Sequence, residues 1–133
     1  LASPKYLKQL GIPKTTQDLE KHTLIGFSSP EILNYWPILD SENKMIHVTP
    51  TIKASSGEMV KKLATEGVGI ACLSDFMTKN ERKNGELVQL FPIETIESMQ
   101  SINAVYYKNS VVSSRVSSFI SFLRDNMNLH QFV

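Results

Sequence analysis

Residues Ser55 to Phe76, SSGEMVKKLATEGVGIACLSDF, hold a helix, a glycine stop and a strand in one short run. Met59, Val60, Leu63 and Ala64 recur at the spacing of one helix face, which predicts an amphipathic helix over Gly57–Glu66 that stops at Gly67. Gly69–Leu73 is then a continuous apolar run of strand length. A strand following a helix in this way is the repeat of an α/β sheet with mainly parallel strands.

The start of that helix carries two readings. In one, Ser55 and Glu58 form a capping box: Ser55 Oγ accepts from the Glu58 N–H while the Glu58 carboxylate reaches back to the Ser55 N–H. In the other, a helix that starts at the carboxyl edge of an α/β sheet presents unused N–H groups and hydroxyls to the crevice where such folds bind ligands. Ser55 and Ser56 are the candidate contacts. Glu58 counts against an anionic ligand, because its carboxylate competes for the same donors.

Working outward, the helix–strand alternation continues on both sides. Ser3 caps a short helix with Pro4 at its first position and Gly11 as its stop; Thr15 with Asp18 opens a second short helix through His22. Thr23–Phe27 reads as a strand, and Ser28–Lys44 as a loop with a short strand near Tyr35–Leu39. Gly26, Phe27 and Ser28 form a second candidate site: a strand end with glycine for close approach, an aromatic wall and a hydroxyl. The plainer reading of the same residues is a core aromatic followed by a turn. Trp36 reads as core or subdomain packing.

From Met45 to Lys53, Ile46, Val48, Pro50 and Ile52 alternate with polar residues, which predicts one half-buried strand with Pro50 marking an edge or bulge. Beyond Leu73 the pattern predicts a helix over Asp75–Lys83, a strand over Glu86–Phe91, a connector over Pro92–Ser101, a strand over Ile102–Tyr107 and a helix over Ser113–Met127. Val116, Phe119, Ile120, Leu123 and Met127 form the apolar stripe of that last helix.

Composition narrows the function classes. The 133 residues make one ordinary domain, and 14 basic against 13 acidic residues leave a net charge of +1 with no basic face for gripping nucleic acid. Lys61-Lys62 and Arg82-Lys83 read as solvated helix faces. The single Cys72 lies in an apolar run and behaves as a small buried hydrophobe. His22, His47 and His130 lack metal-ligand spacing, and no Gly-x-Ser-x-Gly elbow, phosphate loop or His-Glu-x-x-His motif occurs, so no catalytic, metal or cofactor site is expected. No apolar run approaches a membrane span. The chain opens Leu-Ala-Ser-Pro, with neither an initiator methionine nor a signal-peptide pattern, which reads either as removal of a segment or as a piece of a longer protein.

The run Ala2-Ser3-Pro4-x-Tyr6-Leu7, then Gly11-x-Pro13-x-Thr15-x-x-Asp18-Leu19-x-x-His22, Gly67-x-Gly69-Ile70-x-x-Leu73-x-x-Phe76 and Gly85-x-Leu87-Val88-x-Leu90 closely resembles the effector-binding domain of bacterial LysR-type transcriptional regulators. Val116-x-x-Phe119-Ile120-x-Phe122-Leu123 is similar to that family's last helix. Ser74 stands where proline is common, and Ser117 and Ser121 where arginine and aspartate are often seen.

The resemblance implies a periplasmic-binding-protein-like (type 2) α/β fold. In it residues 1–96 form the second subdomain, 97–101 a crossover connector, 102–127 a strand and helix returning to the first subdomain, and 128–133 a tail. It implies a small-molecule effector bound between subdomains by Gly26, Phe27, Ser28, Ser55 and Ser56, in a cytoplasmic homodimer or homotetramer. DNA would be read only by a winged helix-turn-helix outside these residues. A transporter's solute-binding protein is the alternative, and an enzyme on this fold comes third.

Overall fold

The computed structural model describes residues 1–101, 103, 105 and 114–126, which fall into two units, Leu1–Ser98 and Met99–Val133. In the first unit the elements run α1 (Pro4–Leu10), a 3-10 turn (Thr16–Lys21), β1 (Leu24–Phe27), a second 3-10 turn (Glu31–Asn34), β2 (Tyr35–Leu39), β3 (Met45–His47), β4 (Ile52–Ala54), α2 (Gly57–Thr65), β5 (Ile70–Ala71) and α3 (Asp75–Lys83). The second contains α4 (Ser114–Asn126), on which no residue is buried. The expected strand over Ile102–Tyr107 lies largely outside the described residues, as do His130, Met127 and the tail.

A parallel sheet of order β4-β1-β5 forms the centre. Leu1 exchanges backbone bonds with Ala71, and Ala2 pairs antiparallel with Val88, which widens the sheet beyond β5. Because side chains alternate along a strand, β1 feeds two cores. Leu24 and Ile70 join Tyr6, Leu7, Leu19, Trp36 and Ile38 on one face; Ile25 and Ala71 join Val60, Ala64 and Leu87 on the other. So α1 and the β2–β3 hairpin cover one face, and α2 the opposite one. Met59, expected on the buried stripe of α2, is 53% exposed.

Local signals place the helix ends. Ser3 Oγ accepts from the Tyr6 N–H, Pro4 opens α1, and Gly11 closes it at φ 85°. Asp18 Oδ2 accepts from the N–H groups of Lys14 and Thr15 and from Thr15 Oγ1, while Oδ1 pairs with Lys21 at 2.8 Å. Tyr6 Oη, deep in the core, accepts from the Thr23 N–H at 2.9 Å and stands 3.2 Å from His22 Nδ1. One phenol therefore fixes α1 to the start of β1.

Three expectations need correction. Met45–Lys53 is two strands, not one: β3 pairs antiparallel with β2, and β4 pairs parallel with β1. The predicted alternation of burial holds, with Val48 and Pro50 inside, but Pro50 has no N–H for a ladder and the chain changes sheets around it. Glu86–Phe91 is not a strand: Glu86 and Leu87 bend back onto Glu81 O, only Val88 makes a β-bridge, and Phe91 turns at φ 55°. The connector is partly structured, since Leu39 N donates to Glu94 O and Ile96 N to Pro37 O along the free edge of β2.

Two outcomes follow for stability. Tyr6→Phe leaves the half-buried Thr23 N–H without its acceptor and should cost about 1 kcal/mol, read as a lowered urea midpoint. The Lys21 pair first, then the Thr15 and Lys14 amides, hold the Asp18 carboxyl below its ordinary value. A depressed carboxylate stabilises above its unfolded pKa of about 4 and loses that contribution as pH falls through the folded value. Asp18→Asn should therefore lower Tm at neutral pH and by progressively less in acid; an equal deficit at pH 7 and pH 3 would contradict this.

Candidate functional site

The carboxyl ends of β1 and β4 lie side by side, with Phe27 in register with Ala54. The next residue on each strand is a serine. Ser28 N donates to Ala54 O at 2.9 Å and its hydroxyl reaches the same oxygen at 3.4 Å; Ser55 follows Ala54 directly. Both serines are exposed, and the Ser55 hydroxyl has no partner among the described residues. Gly26 is buried and Phe27 half-buried, with the Phe27 side chain packed against the second core.

The helix start departs from the capping box expected for Ser55. Ser56, not Ser55, is the N-cap of α2, and its Oγ accepts from Met59 N at 3.3 Å. Ser55 is the last residue of the turn out of β4, one position too early to cap. Glu58 turns along its own helix to Lys61, 3.2 Å away, and Lys61 also reaches Glu81 on α3 at 3.2 Å. The carboxylate that would have competed for the helix-start donors is thus tied elsewhere. The Gly57 and Glu58 N–H groups, in the first turn, have no acceptor among the described residues.

Sequence reasoning missed Asn34. It is completely buried, and its carboxamide closes on the backbone of Phe27: Oδ1 accepts from Phe27 N at 2.9 Å and Nδ2 donates to Phe27 O at 3.0 Å. These are the groups that β5, only two residues long, does not reach. The side chain stands in for a neighbouring strand. A Cβ on Gly26 would lie 2.6 Å from Asn34 Oδ1 and 2.3 Å from Pro50 Cγ, so the glycine makes room for the protein's own atoms. The available signal was an asparagine inside the apolar run Ile32–Leu39, since a buried polar group requires partners.

A groove of about 430 Å³ opens elsewhere, over Leu19, Leu24, Ile46 and Val48 with Thr16 and Thr49 on its rim. Leu24 is the first residue of β1 and Thr49 precedes β4, which puts it at the amino end of the sheet, opposite Ser28 and Ser55. The described residues hold no group of three or more His, Cys, Asp or Glu able to bind a metal ion, and no helix long and apolar enough to cross a membrane. Cys72 is half-buried against the first core, and burial raises its thiol pKa, consistent with a packing role.

The described residues of the first unit thus form an α/β domain on a parallel sheet, with two hydroxyls at adjoining strand ends beside the start of α2. Comparison with known proteins places it. Residues 1–128 match the family model for the LysR substrate binding domain, and the chain belongs to that family. It is 38% identical over 127 residues to the HTH-type transcriptional regulator CrgA of Neisseria meningitidis, covering 96% of this chain and 42% of that protein. The HTH-type transcriptional activator TtdR of Escherichia coli is 29% identical over 126 residues, covering 92% and 39%.

Among solved structures, the regulatory domain of CrgA matches with a TM-score of 0.86 at 39% identity, covering 93% of this chain and 61% of that one. The regulatory domain of AphB in Vibrio vulnificus matches with a TM-score of 0.58 at 27% identity, covering 68% and 45%. The fold is therefore the periplasmic-binding-protein-like type 2 fold of LysR regulatory domains, and the relatives are transcriptional regulators rather than transport proteins. The chain spans about two fifths of the length of the curated CrgA relatives, 42%.

The capping role separates Ser56 from Ser55 by mutation. Ser56→Ala should cost about 1 kcal/mol through the lost cap, whereas Ser55→Ala should change stability by no more than about 0.5 kcal/mol. Chemical denaturation of both variants checks this, and a larger loss at Ser55 would restore it as the cap.

Proposed function

We propose that this chain is the effector-sensing part of a LysR-type transcriptional regulator, binding a small molecule at the carboxyl edge of β1 and β4. The observation that carries the reading is the pair of exposed serines flanking one carbonyl, Ala54 O, beside the first turn of α2. Ser28, Ser55 and Ser56 supply hydroxyls, Gly26 and Phe27 the backbone and wall, and the free Gly57 and Glu58 N–H groups face the same end of the sheet. Such a set suits a small molecule with a hydrogen-bond-accepting group, a carboxylate included.

In this proposal residues 1–96 are the second subdomain of the sensor, 97–101 its connector, and 102–127 the segment that returns to the first subdomain. The effector lies between the two, and a winged helix-turn-helix outside these residues reads DNA in a cytoplasmic homodimer or homotetramer. Effector binding that favours one regulator conformation over another shifts their populations and so changes transcription. In this reading the chain senses rather than catalyses, in keeping with its relatives being transcriptional regulators.

A thermal-shift screen of small carboxylates, amides and sugars against the chain tests this. A hit should lose about tenfold in affinity in Ser55→Ala or Ser28→Ala, the worth of one hydrogen bond of about 1.4 kcal/mol. A ligand bound equally well by both variants would place the site elsewhere.

A further inference from the structure

The clamp on Phe27 does not end at Asn34. Besides its two bonds to the Phe27 backbone, Asn34 Nδ2 donates to Glu31 Oε2 at 3.2 Å. The other oxygen of that carboxylate, Oε1, takes His47 Nε2 at 2.8 Å. His47 lies on β3, opposite Tyr35 in the β2–β3 ladder, and its ring stacks on the Tyr35 ring with centroids 4.5 Å apart and planes 33° apart. A continuous hydrogen-bonded chain therefore runs from an imidazole on the hairpin, through Glu31 and Asn34, to the backbone next to Ser28.

The chemistry of the chain gives it a direction. An amide that donates strongly through its nitrogen carries more negative charge on its oxygen, so the Glu31 bond to Nδ2 strengthens the Oδ1 bond to Phe27 N–H. Histidine ordinarily titrates between about pH 5 and 8. A protonated ring draws the charge of Glu31 toward Oε1, makes Oε2 a poorer acceptor for Asn34, and so loosens the hold on Phe27. The neutral ring still donates through Nε2 and leaves Oε2 the stronger acceptor.

The groups around this pair are few. The His47 hydrogen bond chiefly, then that of Asn34 and the charges of His47 and Lys53, hold the Glu31 carboxyl below its ordinary value. Tyr35 lies on the ring, and Glu20 and Asp40 line the same groove as His47. Glu31 is thus the charged group in direct hydrogen-bond contact with the ring, and it stays ionised throughout the histidine range.

We propose that Asn34 is a positioning residue for the effector-facing end of β1, and that protonation of His47, passed through Glu31, sets how firmly it holds Phe27 and Ser28. The sensing edge then responds to pH as well as to its ligand. The functional half of this statement rests on the reading of Ser28 and Ser55 as effector contacts, whereas the coupling itself is a property of the unliganded chain.

Amide NMR of the unliganded chain from pH 5 to 8 tests it. The Phe27 amide resonance should move with the same midpoint as the His47 ring protons. In His47→Gln, an exposed position, that movement should disappear. In Glu31→Gln the His47 ring should still titrate while the Phe27 amide no longer follows it. A Phe27 amide that stays flat in the unsubstituted chain, or that follows His47 undiminished in Glu31→Gln, overturns the relay. Because no effector is present, this failure is separate from failure of the ligand screen, which would remove the effector reading and leave the coupling standing.

Discussion

The carboxyl end of β1 needs hydrogen-bond partners on both sides, and only one side offers a strand. Toward β4 the ladder continues through Ser28 N to Ala54 O, but toward β5 it runs out at Ala71, leaving the N–H and C=O of Phe27 to be met by Asn34. Leaving both groups unpaired in the interior would cost about 1–3 kcal/mol each. This one requirement fixes much around it. Asn34 has to be buried, and residue 26 has to lack a side chain because Asn34 Oδ1 and Pro50 Cγ fill the space. Pro50, packed there, separates β3 from β4.

What the sequence showed best was whatever is decided locally. The caps at Ser3 and Thr15, the span Asp75–Lys83 of α3 and the extent of β1 all depend on residues within a turn or two. Periodicity also reported burial faithfully: Val48, Pro50 and Ala54 are inside while Thr49, Thr51 and Lys53 are out. It does not report the partner. The same alternation runs unbroken through a change of sheet at Pro50, and the apolar character of Leu87, Leu90 and Phe91 marks core packing without a ladder. Ser28 and the Ser55-Ser56 pair were legible as candidates because strand ends and helix starts are local signals, while Asn34 acts on a backbone seven residues away and left only its polarity as a clue.

The electrostatics at the site depend more on arrangement than on charge. Most ion pairs in the first unit are exposed, such as Lys44 with Glu42 and Lys62 with Glu66, and pairs of that kind contribute between about 0 and 1 kcal/mol. Lys61 differs in what it connects. By taking Glu58 and Glu81 together it joins α2 to α3 and keeps the Glu58 carboxylate along its helix, away from the turn at Ser55. The positive end of the α2 dipole therefore faces the strand ends without a built-in anion against it.

On the proposed reading of this strand edge as the sensing site, the edge is preorganised. Ser28 is tied to Ala54 on one flank, and the residue before it is gripped by a buried carboxamide on the other, so the backbone there has little freedom left to lose when a ligand arrives. In that proposal association would carry a smaller ordering cost, and discrimination would pass to the hydroxyls of Ser28 and Ser55 and the first-turn amides. The same argument explains why rigidity and adjustability coexist in one place. The clamp is held by a fully buried carboxamide, and in the proposed relay it is adjustable because its third bond leads out to Glu31 and His47, where solvent has access.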